Sequence, residues 1–298
     1  MNLEQLRGFT TLASVGHFTR AAEQLHLSQP SLSRQISTLE DELHQSLFNR
    51  ARGNLTLTAA GEALLPMARR MLAEQENVQR TMAELAGLRR GRVRLGAPPS
   101  LSVSLVADMF ASFHAAYPGI ELHLREAGSR ILLDELAGGQ LDLALIVTSE
   151  HPVPEQLEHV PLLEEELVVA GASPLPAQLD LRTLAGMELI QFSRGYDLRT
   201  SAQNAFATAG LVPRVVVEGA EMDAVLRFAA RGLGVALVPA TVVGPGLHST
   251  PLAEKLSRRV GLAWRRDVPP SKAAAAMQAD IIATARQLAA GHGQIRAL

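Results

Sequence analysis

Cysteine is absent from all 298 residues, which excludes disulfides, thiolate metal sites and any cysteine-based redox sensor. No apolar run approaches the roughly 20 residues that a membrane-spanning helix needs. The first ten residues, MNLEQLRGFT, lack the pattern of a signal peptide and begin a helix at once, with Asn2 as its expected cap. These absences predict a soluble, cytoplasmic protein with no membrane partner.

Catalytic signatures are missing as well. The phosphate-binding loop pattern, the nucleophile-elbow pattern GxSxG and the zinc pattern HExxH do not occur in the sequence. The nine histidines are scattered without a spacing that would suit metal ligation. Because an enzyme needs such a constellation, the sequence predicts neither an enzymatic role nor a metal or cofactor.

Residues 17–38, which read HFTRAAEQLHLSQPSLSRQIST, predict a helix-turn-helix. Thr19 is the expected cap of a short first helix, which ends in a turn near His26. Ser28 is the expected cap of the second helix, with Pro30 in its first turn, where a missing N–H costs nothing. The core-facing positions of the second helix are spaced four, three and four residues apart, and they are Leu32, Ile36, Leu39 and Leu43.

The opposite face of the second helix suits a DNA groove. Short hydroxyl side chains can reach phosphates and base edges, and an arginine can fork onto a guanine. Residues 40–42 are acidic, so only the N-terminal half of this helix can approach DNA. Residues 47–50 and 54–57 alternate as two short strands with two arginines at the tip, which predicts a wing beside the groove. The predicted DNA contacts are Thr19, Arg20, Ser28, Gln29, Pro30, Ser31, Ser33, Arg34, Ser37, Arg50 and Arg52.

These motifs resemble a known family. The segment FTRAAEQLHLSQPSLSRQISTLEDEL, followed by LFNR and LTLTAAGEALL within residues 1–65, resembles the DNA-binding domain of LysR-type transcriptional regulators. The resemblance extends over the whole chain through its length, a long helix after the wing and the C-terminal pattern. It implies a homodimer or homotetramer that binds an inverted repeat in double-stranded DNA, responds to a small effector and contacts RNA polymerase. Peroxide-sensing members of the family rely on cysteine, which this chain lacks.

Charge supports a DNA-binding role only locally. The whole chain carries a net charge of −2. Residues 1–58 contain five arginines and five acidic residues, which sum to zero, whereas DNA-binding domains are usually basic. One such domain should therefore bind DNA weakly, and two would have to act on the same DNA.

A long helix is predicted over residues 59–88, with Thr58 as its cap. One set of its residues recurs at intervals of four and three, as in the seam of a coiled coil. The alternative is an ordinary amphipathic helix packed on its own domain, but its place between two apparent domains favours pairing with another chain. Residues 87–91 then form a hinge. The predicted dimerisation residues are Leu64, Ala68, Met71, Gln75, Val78, Met82 and Leu85.

Strands and helices alternate from Arg92 onward, and a second series of them begins near Leu162. This order predicts two α/β lobes with parallel sheets covered on both faces. Residues 1–58 would form the winged helix-turn-helix and residues 89–298 an effector-binding domain. Lobe I would comprise residues 92–161 with 268–298, and lobe II residues 162–267. The resemblance implies the same architecture, a domain like the periplasmic binding proteins with its ligand between the lobes.

The ligand site is expected at the carboxyl ends of strands, where open α/β sheets bind their ligands. Ser100 and Ser102 follow a strand at residues 93–96 and begin a predicted helix at residues 101–117, so their hydroxyls and free N–H groups suit an anion. Plain capping is the alternative, and the resemblance favours the ligand role, since the matching position in family members often touches effector. Arg194 suits an anion equally well, although it also fits an ordinary surface arginine, and Tyr196 fits packing.

These positions predict a small anionic effector, whose identity the sequence does not give. The predicted contacts are Ser100, Leu101, Ser102, Thr148, Phe192, Ser193, Arg194, Tyr196, Met222, Val238 and Pro239. A solute-binding receptor without a transcriptional role is the alternative function. It would explain the two lobes but neither the winged motif nor the missing signal peptide.

Overall fold

The computed structural model describes residues 1–51, 54–85, 91–149, 151–291 and 293–298. The chain divides into two compact units. The first comprises residues 1–87 and the second most of the remainder. The predicted hinge at residues 87–91 lies outside the described residues except for Gly91.

The first unit is a winged helix-turn-helix followed by a long helix. Its elements are α1 (Leu3–Val15), α2 (Phe18–Gln24), α3 (Gln29–Leu43), β1 (Phe48–Ala51), β2 (Asn54–Leu57) and α4 (Ala59–Leu85). β1 and β2 form an antiparallel hairpin. One core, which includes Phe9, Leu32 and Ile36, joins the helices to the hairpin, and the rings of Phe9 and Phe48 lie 5.5 Å apart.

Three of the four predicted caps in this unit are confirmed, and one is wrong. Asn2 forms a capping box with Gln5 at the start of α1, and Ser28 accepts a hydrogen bond from the backbone N–H of Ser31 at the start of α3. Thr58 accepts one from the N–H of Gly61 at the start of α4. Thr19 is not the cap of α2, because that helix already begins at Phe18, whose side chain packs against the core.

The second unit contains ten strands and seven α-helices among its described residues, with one short 3-10 turn. The strands are β3 (Gly91–Ala97), β4 (Ile120–Glu126), β5 (Leu143–Val147), β6 (Leu157–Gly171), β7 (Glu188–Phe192), β8 (Arg214–Ala220), β9 (Ala236–Pro239), β10 (His248–Pro251), β11 (Ser257–Arg265) and β12 (Ile295–Ala297). The helices are α5 (Pro99–Leu101), α6 (Ala107–Ala116), α7 (Ser129–Ala137), α8 (Leu181–Gly186), α9 (Asp197–Thr208), α10 (Met222–Ala230) and α11 (Lys272–Gly291).

Lobe I is built on a mixed sheet with the strand order β4-β3-β5-β11-β6. The first three strands run parallel, as predicted, and β11 runs antiparallel to both of its neighbours. β12 adds a short antiparallel strand to β6. Two apolar clusters, centred on Phe113 with Met277 and on Leu132 with Ile146, form the core of this lobe.

Lobe II is built around the second part of β6, which pairs antiparallel with β9 and β10. β7 and β8 form a parallel pair, and a bridge between Leu189 and Val235 connects them to the chain entering β9. One large apolar cluster, with Phe206 and Val225 near its centre, forms the core of this lobe.

The expected lobe boundaries need correction at both ends. β6 is a single strand of 15 residues that serves both sheets, so residues 162–166 belong to lobe I. β11 hydrogen-bonds to β5, which places residues 257–265 in lobe I and not in lobe II. The sheets are consequently not purely parallel. The predicted helix at 101–117 is also interrupted, because a π-helical turn at Ser102–Val106 separates α5 from α6.

Candidate functional site

The exposed face of α3 carries polar side chains and no carboxylate in its N-terminal half. Gln29, Pro30, Arg34 and Ser37 are exposed, and Ser31 and Ser33 are half-buried. Leu32, Ile36 and Leu39 lie fully buried on the opposite face, as predicted. Within the described residues Arg34 forms no ion pair. Its Nε donates only a long hydrogen bond of 3.4 Å to the carbonyl oxygen of Pro30. The guanidinium is therefore available to an outside acceptor.

The other predicted DNA contacts are exposed wherever the structure describes them. Thr19 and Arg20 lie exposed on α2, and Ser28 lies exposed just before α3. Arg50 belongs to β1, but its side chain lies outside the described residues, as does the whole of Arg52. The predicted contribution of the wing therefore stays a prediction.

Glu40 has a structural role that the sequence did not reveal. Its Oε1 accepts hydrogen bonds from the backbone N–H groups of Leu47, at 2.8 Å, and of Phe48, at 3.3 Å. A carboxylate near the end of α3 thus holds the first strand of the wing. Gly61 completes this junction, because a Cβ there would lie 2.2 Å from the carbonyl oxygen of Leu47.

α4 presents a row of exposed apolar side chains, which only partly matches the predicted seam. Met71, Val78 and Met82 are 44%, 60% and 56% exposed, and Met67, which the sequence analysis missed, is 58% exposed. Gln75 is bonded to Arg7 of α1 at 3.4 Å. The predicted seam needs correction at Ala68, which is fully buried in the core of its own unit. Half-buried Leu64 packs against that core. The side chain of Leu85 lies outside the described residues.

A cleft of about 530 Å³ opens between the lobes of the second unit. Four predicted contacts line it: Ser193, Arg194, Tyr196 and Met222. Most of the remaining lining was not predicted from the sequence, and it includes Pro99, Val103, Arg125, Glu126, Gly128, Ile131, Glu221 and Asp223. Its volume is in the usual range for small-molecule sites, roughly 300–1,000 Å³.

The other predicted effector contacts do not line this cleft. Ser100 is buried, and its hydroxyl accepts a hydrogen bond from Arg258 Nη1 at 2.7 Å. Thr148 donates a weak hydrogen bond to the carbonyl oxygen of Arg259, and half-buried Ser102 has a hydroxyl without a partner among the described residues. The remaining apolar positions are buried or paired in the lobe cores or sheets, and they are Leu101, Phe192, Val238 and Pro239.

The carboxylate of Asp197 connects lobe II to lobe I through hydrogen bonds. Ser129, at the start of α7, donates to Asp197 Oδ2 through its hydroxyl at 2.6 Å and its backbone N–H at 3.1 Å. His151 Nε2 lies 3.4 Å from the other carboxylate oxygen. Burial raises the pKa of Asp197 above its ordinary value, and the hydrogen bonds from Ser129 and the charge of His151 oppose that rise.

Two glycines allow the lobes to meet beside this carboxylate. A Cβ on Gly128 would lie 2.1 Å from the carbonyl oxygen of Gly195, which no side chain could tolerate. Gly195 itself has a φ of +90°, a conformation that favours glycine. The backbones of lobe I and lobe II are therefore in direct contact.

Tyr196 is the polar group of the cleft that lacks a partner. Its side chain is 8% exposed and stacks on Phe192 with ring centroids 5.1 Å apart, yet its hydroxyl forms no hydrogen bond within the described residues. Burial, followed by the nearby carboxylates of Glu221 and then Glu126, raises the pKa of Tyr196. The hydroxyl therefore stays protonated at neutral pH.

The described part of the chain contains no group of three or more metal-ligating side chains placed to hold an ion. No helix within it combines the length and the apolar character of a membrane span.

Two family models match the chain. The first, described as a bacterial regulatory helix-turn-helix protein of the lysR family, matches residues 3–62. The second, the LysR substrate binding domain, matches residues 86–285. The first match lies within the first compact unit, and the second covers most of the second unit.

Known proteins are similar over most of their length. The nitrogen assimilation regulatory protein nac of Escherichia coli K12 is 32% identical over 241 residues, which cover 80% of this chain and 78% of that protein. The DNA-binding transcriptional dual regulator OxyR of the same strain is 30% identical, with 90% and 91% covered. A solved full-length OxyR variant from Pseudomonas aeruginosa is 29% identical, with a TM-score of 0.68 and coverage of 95% and 98%.

Proposed function

The chain belongs to the LysR family of bacterial transcriptional regulators, and on that premise we propose how its parts work. The exposed face of α3 enters the major groove of double-stranded DNA, and α4 joins two copies of the chain. A small molecule in the cleft between the lobes modulates the arrangement of these copies on DNA. The protein is a DNA-binding regulator and not an enzyme.

The observation that carries the DNA-binding proposal is the polar N-terminal half of α3. Major-groove readers place the N-terminal residues of their recognition helix against base edges. Here that half exposes Gln29, Arg34 and Ser37, and Arg34 has no competing carboxylate among the described residues. Glu40 does not compete for DNA either, since its Oε1 is bonded to the wing. The cytoplasm is the proposed location of a regulator that binds DNA, and RNA polymerase is its proposed further partner.

A second copy of the chain is the proposed partner of α4. Met67, Met71, Val78 and Met82 follow one another at intervals of four, seven and four residues, so they form one stripe along the helix. Each large apolar side chain gains about 1.5–3 kcal/mol when it is fully removed from water. Pairing of two such stripes would therefore stabilise a homodimer, on which a homotetramer could be built.

The effector role of the cleft rests on its volume, its position between two lobes and its mixed lining of charged and apolar side chains. One similar protein is named a hydrogen peroxide-inducible genes activator. Cysteine-based peroxide sensing does not extend to this chain, because its sequence contains no cysteine. An organic molecule of metabolite size is therefore the proposed effector.

The test is a comparison of Arg34→Ala with Arg182→Ala, which removes the same charge from an exposed position in lobe II. A recognition site is first selected from random duplex DNA. Arg34→Ala should weaken binding to that site by about 1–3 kcal/mol and relax the preference at one base pair of each half-site. Arg182→Ala should change neither property. Equal loss on selected and random DNA would reassign Arg34 to a phosphate contact.

A further inference from the structure

We propose that the ligand of the cleft carries a positively charged amino group, which Glu126 and Glu221 hold beside the hydroxyl of Tyr196. This inference rests on the proposed function, in which the cleft is the effector site, and it names the chemical class of the effector. It departs from the anion that the sequence predicts, because the charges of the folded cleft differ from those of the isolated motifs.

The position that best suits an anion is already occupied by the protein itself. α7 is a nine-residue helix whose first N–H groups point toward the lobe interface. The Asp197 carboxylate accepts hydrogen bonds there from the backbone N–H and the hydroxyl of Ser129, at 3.1 and 2.6 Å. A helix N-terminus with a fixed carboxylate no longer attracts a second anion, because the two negative charges repel.

Two of the hydroxyl groups expected to bind an anion have other partners. Ser100 accepts a hydrogen bond from the buried guanidinium of Arg258. Ser193 donates to Glu221 Oε1 at 2.9 Å, so it supports a carboxylate of the cleft. The donor of Ser193 is thus directed at a carboxylate, and Ser100 and Ser102 do not line the cleft.

The charges that remain in the lining are mainly negative. Glu126, Glu221 and Asp223 contribute three carboxylates, and Arg125 and Arg194 contribute two guanidinium groups, so the sum is −1. Arg125 is additionally held by Glu135, which accepts from its Nε at 3.1 and 3.2 Å. The cleft lining therefore contains more carboxylates than guanidinium groups, and one of the two guanidinium groups is already paired.

Tyr196 provides an independent sign that a ligand belongs in this place. Its hydroxyl is more than nine-tenths buried, lines the cleft and lacks a hydrogen-bond partner among the described residues. A buried hydroxyl without a partner destabilises the folded state, so such groups are normally satisfied by a ligand or a bound water. Glu126, Glu221 and Tyr196 all line this cleft, so the three groups face the same volume.

The occupant is an organic amine and not a metal ion. No three carboxylate or imidazole groups within the described residues are close enough together to ligate a metal. Beside the carboxylates the lining is apolar, with Val103 and Ile131 nearly half exposed to the cleft. An ammonium group on an apolar body fits both parts of this surface.

The test uses matched probes on the full chain. A panel of primary amines, including hexylamine and phenethylamine, is compared with the alcohol and the carboxylate of each skeleton by thermal shift. The amines should raise the melting temperature, since a ligand that binds the native state stabilises it, and the alcohols and carboxylates should not. The strongest amine is then titrated calorimetrically into Glu126→Gln and Glu221→Gln.

Each substitution should weaken amine binding by about ten- to a hundred-fold, because a hydrogen bond to a charged group is lost. Glu121→Gln is the matched control, since it removes the same charge from an exposed position on the same strand as Glu126 but outside the cleft. It should bind the amine like the unmodified protein. Melting temperatures without ligand establish that all variants are folded.

The possible failures are distinguishable. Stabilisation by carboxylates but not by amines would overturn the charge assignment and leave the effector cleft intact. Stabilisation by neither class, or amine binding that is unchanged in both glutamine variants, would overturn the inference entirely. Amine binding that depends on Glu126 and Glu221 but leaves the operator footprint unchanged would support the charge assignment and contradict the proposed effector role.

Discussion

Loss of one partner from the buried Arg258–Glu165 ion pair should strongly destabilise the second unit. Arg258 Nε donates to Glu165 Oε1 at 2.7 Å, and both side chains are at most 1% exposed. Ser100 accepts from Arg258 Nη1, and Thr241 donates to Glu165 Oε2 at 2.8 Å. Nearly every polar atom of the pair is thereby engaged, and no water replaces a missing partner at such burial.

Glu165→Met would leave the guanidinium of Arg258 buried without its ion-pair partner. Breaking a buried pair in this way costs about 3–5 kcal/mol, whereas replacing both charges with apolar side chains is often neutral or stabilising. For a unit of this size the single substitution should lower the melting temperature by roughly 6–20 °C. The double variant Glu165→Met, Arg258→Met should recover most of that loss.

Trp264 makes the measurement specific to this unit. It is the only tryptophan of the chain and lies on β11, the strand that also carries Arg258. Its fluorescence in a urea titration therefore reports unfolding of the second unit without a signal from the first. Equal losses of stability in the single and double variants would refute the reasoning, because they would show that the unpaired guanidinium is adequately solvated.

Two further predictions concern α4 and Asp197. Met71→Glu with Val78→Glu should convert the protein to monomers in sedimentation and abolish operator binding, because unpaired charges would be buried in the interface. Gln79→Glu, at an exposed polar position of the same helix, should change neither property. An unchanged mass of the double variant would contradict the role of the apolar stripe in dimerisation. Burial raises the pKa of Asp197 above its ordinary 3.8, so the contribution of this group to stability should be fully present below pH 3.8 and be lost as pH rises through the raised pKa of the folded state. Asp197→Asn should lose this step in urea titrations at successive pH values, and a step of the same size in the variant would assign it to another group.

Helix α3 could be predicted from the sequence because residues close together in the chain determine where it begins and which face is exposed. The alternation of Leu32, Ile36 and Leu39 with polar residues sets both the helix and its exposed face, and Ser28 marks its start. In α4 the same kind of periodicity did not determine which side chains are exposed. Met71 and Ala68 both fit one heptad pattern, but only packing against α1 and the wing decides that Ala68 turns inward and Met71 outward.

The cleft was predicted less completely because its residues come together only through the tertiary fold. Ser100 is separated from Arg258 by 158 positions, and nothing near Ser100 in the sequence reveals that its hydroxyl is already engaged. Glu126 and Glu221 are exposed acids at strand ends, which look like any solvated surface residue. The predicted lobe boundaries were wrong for a similar reason. β11 belongs to the sheet of lobe I because it hydrogen-bonds to β5, a strand that is distant in the sequence.

The 15-residue strand β6 limits how this effector domain can be exchanged with those of its relatives. Its first part pairs with β11 in lobe I and its last part with β9 and β10 in lobe II, with no loop between them. A recombination point placed between the lobes would cut through a continuous hydrogen-bonded strand and divide each sheet between two parents. Chimeric regulators built from this chain should therefore inherit both lobes from one parent and be joined in the segment that follows α4.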